Sequence, residues 1–319
     1  MNLLCQRLSR MYPISPQLAA FVEKTEFFTG DDASLTGLRQ SYDRMCQAFT
    51  PPKPQGLHLA DFTLAGVGVR SYLPPALQPA DGWPCLLYIH GGGWVVGGLD
   101  SHDFICFELA SRLNVLVIAI DYRLAPEYPF PAAYEDCRAV WRALQAGEGL
   151  HAVNLQRLVV MGDSAGGNLA AALCLGLRDD GQPLPRTQVL VYPGLGGPAD
   201  LPSRSDCRDA PLLSTADAEY YLALYLRGAG QPSPYAMPLL AKDYSGLPNA
   251  LIAVAQFDPL RDDGMLYAER LQAAGVATRL YPGKGLVHGC LRARRQAPEV
   301  DRLFAYLLDY LHGELLTPV

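Results

Sequence analysis

The chain has 319 residues, of which 50% are hydrophobic and 18% charged, with a net charge of −6. That composition excludes a disordered, coiled-coil or collagen-like chain, and the negative balance offers no electrostatic footprint for nucleic acid or an anionic membrane. The length permits one large α/β domain with a sizeable core.

Residues 1–50 read as helical, with apolar positions at Leu18, Phe21 and Val22 and again at Leu38, Tyr42 and Met45. Pro51, Pro52 and Pro54 break any helix there. Leu57 to Leu64 and Val67 to Leu73 then read as two strands joined by a tight Ala65-Gly66 turn. From residue 84 short apolar runs alternate with helical stretches. The runs are Cys85–Ile89, Val115–Ile120, Leu158–Met161, Val189–Tyr192, Leu251–Ala255 and Thr278–Tyr281. They are almost wholly apolar, as strands covered on both faces must be. Helices are expected at about 103–113, 133–146, 165–178 and 263–274, and a last one carries Val300, Leu303, Phe304, Leu307 and Leu311 on one stripe. This alternation predicts a doubly wound, mostly parallel sheet in a single domain over residues 1–319. Residues 196–245 interrupt it with a polar, Pro-rich stretch and a helix near 216–227 behind Ser214 or Thr215. With residues 1–50 this insertion is placed to form a lid over the sheet's carboxyl end.

No run reaches the ~20 apolar residues of a membrane span. The start of the chain lacks a charged region followed by a long apolar run, and the Leu3-Leu4-Cys5 triplet lacks the flanks of a lipoprotein signal. Eight scattered cysteines, none in C-x-x-C spacing, read as reduced thiols of a cytoplasmic protein.

The chemistry concentrates at four places. Gly162-Asp163-Ser164-Ala165-Gly166 follows a strand and opens a helix. This is G-x-S-x-G in the strand–turn–helix setting that lifts a serine hydroxyl above a sheet. His90-Gly91-Gly92-Gly93-Trp94 follows the Cys85–Ile89 strand, and its glycines can turn backbone N–H groups toward a developing oxyanion. A serine needs a base, and six histidines are available: His58, His90, His102, His151, His288 and His312. His288 lies in a Gly-rich loop just after the last strand, the position favoured for a catalytic group. His312 is expected to end the last helix, complementing its dipole. Asp258 follows the Leu251–Ala255 strand and is placed to orient the imidazole, while Asp262 and Asp263 read as caps of the next helix. The chain order Ser164, Asp258, His288 is that of α/β-hydrolases. There is no H-E-x-x-H and no clustered Cys/His set, so neither a metal nor a cofactor is expected.

The motifs HGGGW at 90–94, DYRLAPE at 121–127, GDSAGG at 162–167, FDPLRDDG at 257–264 and YPGKGLVHG at 281–289 together give a family resemblance. The chain resembles the bacterial hormone-sensitive-lipase-type branch of α/β-hydrolase esterases and is similar to acetyl esterases. The resemblance implies oxyanion donors from the N–H groups of Gly92, Gly93 and Ala165, and a cap built from the N-terminal helices and the 196–245 insertion. It departs from the family after the histidine, where Gly289 and Cys290 replace the usual early apolar residue. Asp121, Tyr122, Arg123 and Glu127 read as structural, and Cys290 as a buried thiol.

The expected activity is hydrolysis of small carboxylic esters through an acyl-enzyme, with short acyl groups favoured because Trp94 walls off part of the acyl space. The expected partner is a small-molecule ester, with no nucleic acid and no membrane; homodimerisation is left open. An amidase or peptidase with the same triad, or a ligand-binding protein on the same fold, are the alternative readings.

Overall fold

The computed structural model describes residues 11–30, 32, 34–231 and 233–316. The Leu3-Leu4-Cys5 triplet lies outside them. Its centre is an eight-stranded sheet in the order β1-β2-β4-β3-β5-β6-β7-β8. β1 (His58–Leu64) and β2 (Val67–Leu73) form the expected hairpin, and β2 runs antiparallel to β4 (Leu116–Asp121). β3 (Trp83–Ile89), β5 (Val153–Asp163), β6 (Thr187–Val191), β7 (Asn249–Ala253) and β8 (Thr278–Tyr281) continue the sheet from β4 in parallel.

The central strands show two apolar faces, so each face needs its own layer of helices. On β3, Cys85, Leu87 and Ile89 pack with Trp141 of α4 (Ala132–Gln145), Leu169 of α5 (Ala165–Asp179) and Leu271 of α8 (Arg261–Ala273). Leu86 and Tyr88 point the other way, toward Phe107 of α3 (Asp103–Leu113) and Leu303 of α9 (Pro298–Leu316). Period-two alternation thus splits one apolar run between two cores.

The N-terminal segment forms α1 (Pro16–Glu26) and α2 (Leu35–Phe49), whose N-caps Ser15 and Ser34 accept the N–H groups of Leu18 and Gly37. The 196–245 insertion carries the short α6 (Pro202–Asp206) and α7 (Thr215–Tyr225), the latter begun by a reciprocal capping box between Ser214 and Asp217.

β5 begins five residues before the apolar run that signals it, because Val153 pairs with Trp83 across an irregularity in β3. His312 does not end α9; the helix runs on to Leu316.

Candidate active site

Parallel register brings the carboxyl ends of the central strands to one level. Ile89 pairs with Gly162, Asp163 with Val191, Val191 with Ala253, and Ala253 with Tyr281. The loops after β3, β5, β7 and β8 therefore leave the sheet side by side, at the edge where ligands of such folds bind.

Ser164 sits between β5 and α5 with φ 54° and ψ −119°, a strained conformation for a non-glycine residue. The turn closes only with glycines on either side. A Cβ on Gly166 would stand 2.0 Å from the carbonyl oxygen of Ile89, and one on Gly162 would stand 2.3 Å from the backbone of Gly166.

Ser164 Oγ lies 2.8 Å from His288 Nε2, and His288 Nδ1 lies 2.7 Å from Asp258 Oδ2. The Asp258 carboxylate is fully buried and also accepts the N–H of Leu260 at 2.8 Å. An ionised carboxylate can only accept, so Nδ1 carries the imidazole proton and leaves Nε2 free to accept the Ser164 hydroxyl. The three expected residues are thus brought into one hydrogen-bonded relay. The ring of Tyr192 flanks His288 at 4.8 Å.

Gly92, Gly93, Trp94, Ser164, Ala165 and His288 share a cavity of about 300 Å³. No protein acceptor among the described residues takes the N–H groups of Gly92 and Gly93. Ala165 is the first residue of α5, whose N–H has no partner within the helix. Trp94 is buried, stacks on Tyr225 of α7 at 4.4 Å, and lines the cavity. Phe21 of α1, Tyr42 and Met45 of α2, and Tyr221 and Leu222 of α7 complete the walls.

Asp163, next to the serine, turns away from the hydroxyl and into the glycine loop. Its Oδ1 accepts from the Tyr88 hydroxyl at 2.7 Å and the Gly91 N–H at 3.1 Å, and lies 3.3 Å from His102 Nε2. Burial pushes its carboxyl up, but His102, Arg292 and Tyr88 outweigh burial and hold it well below the usual range. Burial and the neighbouring His102 push His90 down to about 3, and its ring stacks on Tyr122 at 4.1 Å.

Asp262 and Asp263 do not cap α8, whose N-cap is Leu260 without a side-chain bond. They reach across sequence instead. Asp262 accepts the N–H of Ser203, and Asp263 accepts that of Leu195 and pairs with Arg204. Both carboxylates tie down the start of the insertion. Glu127 likewise reaches the N-terminal segment, pairing with Arg39 of α2, which also donates to the carbonyls of Val95 and Ala125. Arg123 holds Asp136 of α4. Cys290 is fully buried, and burial pushes its thiol up, away from any nucleophilic role. His58 and His312 are exposed and do not line the cavity at Ser164.

Arg292, Tyr42 and Tyr221 line the cavity without having been singled out as site residues from the sequence. No local motif marks them. Arg292 and Tyr42 meet across 250 positions of sequence.

A fold so arranged around a serine–histidine–aspartate relay defines an α/β-hydrolase. The family described as "alpha/beta hydrolase fold" matches residues 86–292. The chain is 38% identical over 283 residues to esterase LipI of Mycobacterium tuberculosis, covering 86% of this chain and 87% of that protein. It is 38% identical to an ethyl acetate hydrolase of Pseudomonas putida, over 77% of this chain and 78% of that one. A crystal structure of an esterase from the bacterial hormone-sensitive lipase family superposes with a TM-score of 0.85 at 29% identity, covering 94% of this chain and 99% of that one. The chain belongs to the hormone-sensitive-lipase-type branch of the α/β-hydrolase esterases, and its class is that of a carboxylic ester hydrolase. No helix among the described residues is long and apolar enough to cross a membrane.

Proposed function

We propose that the chain hydrolyses small, short-chain acyl esters through an acyl-enzyme on Ser164. The observation that carries this reading is the relay from Asp258 through His288 to a serine hydroxyl that opens into a largely apolar cavity. His288 Nε2 takes the hydroxyl proton as Oγ attacks the ester carbonyl. Negative charge gathers on the carbonyl oxygen, where the N–H groups of Gly92, Gly93 and Ala165 receive it. Asp258 holds the imidazolium in place. The tetrahedral intermediate collapses, the C–O bond to the alcohol breaks, and His288 returns its proton to the leaving oxygen. Water then attacks the acyl-enzyme with His288 again as base, releasing the carboxylic acid and restoring Ser164.

The described residues of 1–50 (11–30, 32 and 34–50) and of the 196–245 insertion serve as the cap in this reading. Their side chains wall the cavity, and Arg39, Asp262 and Asp263 fasten them to the core. The similarity to an ethyl acetate hydrolase supports a small acyl group.

The test is covalent. A fluorophosphonate probe should label one site per chain at Ser164, and Ser164→Ala should lose both labelling and ester turnover. Turnover that survives in a folded Ser164→Ala variant sinks the assignment.

A further inference from the structure

One wall of the Ser164 cavity carries a charge that ester hydrolysis alone does not use. Arg292 lies in the single turn Cys290–Ala293, four residues after His288, and lines the cavity with only 6% of its surface exposed. A guanidinium cannot shed its proton, and a buried charge is costly without an opposite partner. Among the described residues no carboxylate lies within ion-pair distance of it.

Its surroundings hold it without a direct ion pair, although Asp163 acts on it at longer range. Nη2 donates to the Tyr42 hydroxyl at 2.5 Å and lies 3.5 Å from His102 Nε2. The rings of Tyr42 and Phe104 flank the guanidinium at 5.1 and 5.2 Å. Nε has no acceptor. The nearby carboxylate Asp163 is engaged by Tyr88, Gly91 and His102, and His102 stands between it and Arg292. The guanidinium is therefore oriented by an aromatic shelf, with Nε unpartnered and no carboxylate in direct contact, on the wall of the cavity where substrate must sit. A carboxylate suits such a fork, because charge-assisted bonds to a planar guanidinium are both strong and directional.

We propose that Arg292 is a specificity-determining residue that binds a carboxylate on the substrate, so that the preferred esters carry a second, ionised acid group. The proposal rests on Ser164 being the nucleophile. The carboxylate can belong to the acyl side, as in half-esters of dicarboxylic acids, or to the alcohol side, as in acylated hydroxy acids.

Both arms are tested by kcat/KM on matched pairs. The acyl-side pair is p-nitrophenyl hydrogen adipate and its terminal amide; the alcohol-side pair is 4-acetoxybutanoate and its amide. In one arm the wild-type enzyme should prefer the carboxylate by roughly tenfold or more. That preference should decline only modestly as salt rises from about 0.05 to about 0.5 M, because a buried pair is screened little. Arg292→Met should lower the carboxylate-to-amide ratio by roughly tenfold or more, and Arg292→Lys should lower it less. The ratio is read within each variant, so a general loss of activity does not imitate the effect. The wild-type preference and its salt dependence need no variant at all. Turnover of the amides with no carboxylate preference in either arm overturns the proposal and leaves the esterase reading intact. An unchanged ratio in folded Arg292→Met also overturns it. Failure to turn over every ester, together with an unlabelled Ser164, overturns both.

Discussion

Phe257 and Val287 pair in an isolated parallel bridge beyond the ends of β7 and β8. The residue after each is part of the relay: Asp258 follows Phe257, His288 follows Val287, and their side chains meet at 2.7 Å. Two loops that could wander are thus pinned to each other one residue before the contact that matters. The sheet's register, extended by a single bridge, sets the geometry of the site.

Asp258→Asn tests what that contact does. The amide keeps the shape but turns an obligate acceptor into a group that can donate, so His288 is no longer held with its proton on Nδ1. The variant should fold, because Oδ1 keeps its bond from the Leu260 N–H. Its kcat should fall by about 10⁴ with KM little changed, the scale of loss when a triad carboxylate is neutralised. Stopped assays with purified protein and a circular-dichroism check decide it. Activity within tenfold of wild type would remove Asp258 from the relay.

Two glycines near the site should respond in opposite degrees to alanine. A Cβ on Gly166 meets the backbone oxygen of Ile89 at 2.0 Å, and neither strand nor helix can yield without opening the serine turn. Gly166→Ala should cost about 3 kcal/mol or more. Gly289 has φ +66° but open space around its missing side chain. Gly289→Ala should therefore cost only about 1 kcal/mol, the strain of a left-handed residue. Urea unfolding midpoints of the two variants give the comparison, and equal losses would contradict it.

Acid should destabilise the fold through its buried imidazoles. Burial pushes His90 down to about 3 and lowers His102 as well. A histidine whose folded pKa lies below its unfolded value of ~6.5 binds its proton more readily in the unfolded chain. Its neutral form stabilises fully above ~6.5, and that contribution is lost as pH falls toward the folded value, at about 1.4 kcal/mol per pH unit for one group. Asp163 acts in the same direction, but in a lower pH window. Its depressed carboxyl stabilises above the unfolded value of ~3.9 and fails only below it, leaving the window from pH 7 to 5 to the histidines. Thermal melts at pH 7 and 5 should show a drop for wild type and a smaller drop for His90→Asn. Parallel drops would mean that His90 is charged in the folded state.

Much of this was legible in sequence because the signals are local. Parallel strands announce themselves as unbroken apolar runs. The serine turn needs small neighbours within two positions, and the order of Ser164, Asp258 and His288 follows the order of strands. What escaped is long-range. The first half of β5 is polar, and it joins the sheet only because Val153 finds Trp83. Asp262 and Asp263 have the spacing of helix caps, yet their carboxylates serve backbone N–H groups about 60 residues earlier, at Ser203 and Leu195. Arg292 looks like one arginine among several after the histidine loop, and only folding places Tyr42 and Phe104 around it.

The chain length of the acyl group gives the last prediction. The cavity holds about 300 Å³, at the small end of the ~300–1,000 Å³ typical of small-molecule sites. Trp94 bounds it beside the glycine loop, and the Tyr225 ring stacked on that indole backs it from α7, so the wall cannot retreat without unstacking two buried rings. Tyr221 stands against Gly93 from the same helix. Each added methylene therefore gains about 0.8 kcal/mol of burial only until the space is filled. Beyond that it must stay in water or force the packed rings apart, which costs about 1–3 kcal/mol. For p-nitrophenyl esters kept below micelle concentrations, kcat/KM should peak at about two to six acyl carbons and fall beyond. Trp94→Ala should move the optimum to longer chains, because it opens the wall while leaving Ser164, His288 and Asp258 in place. A wild-type optimum at ten or more carbons, or activation at an oil–water interface, would show that the acyl group leaves the cavity by a route the rings do not close.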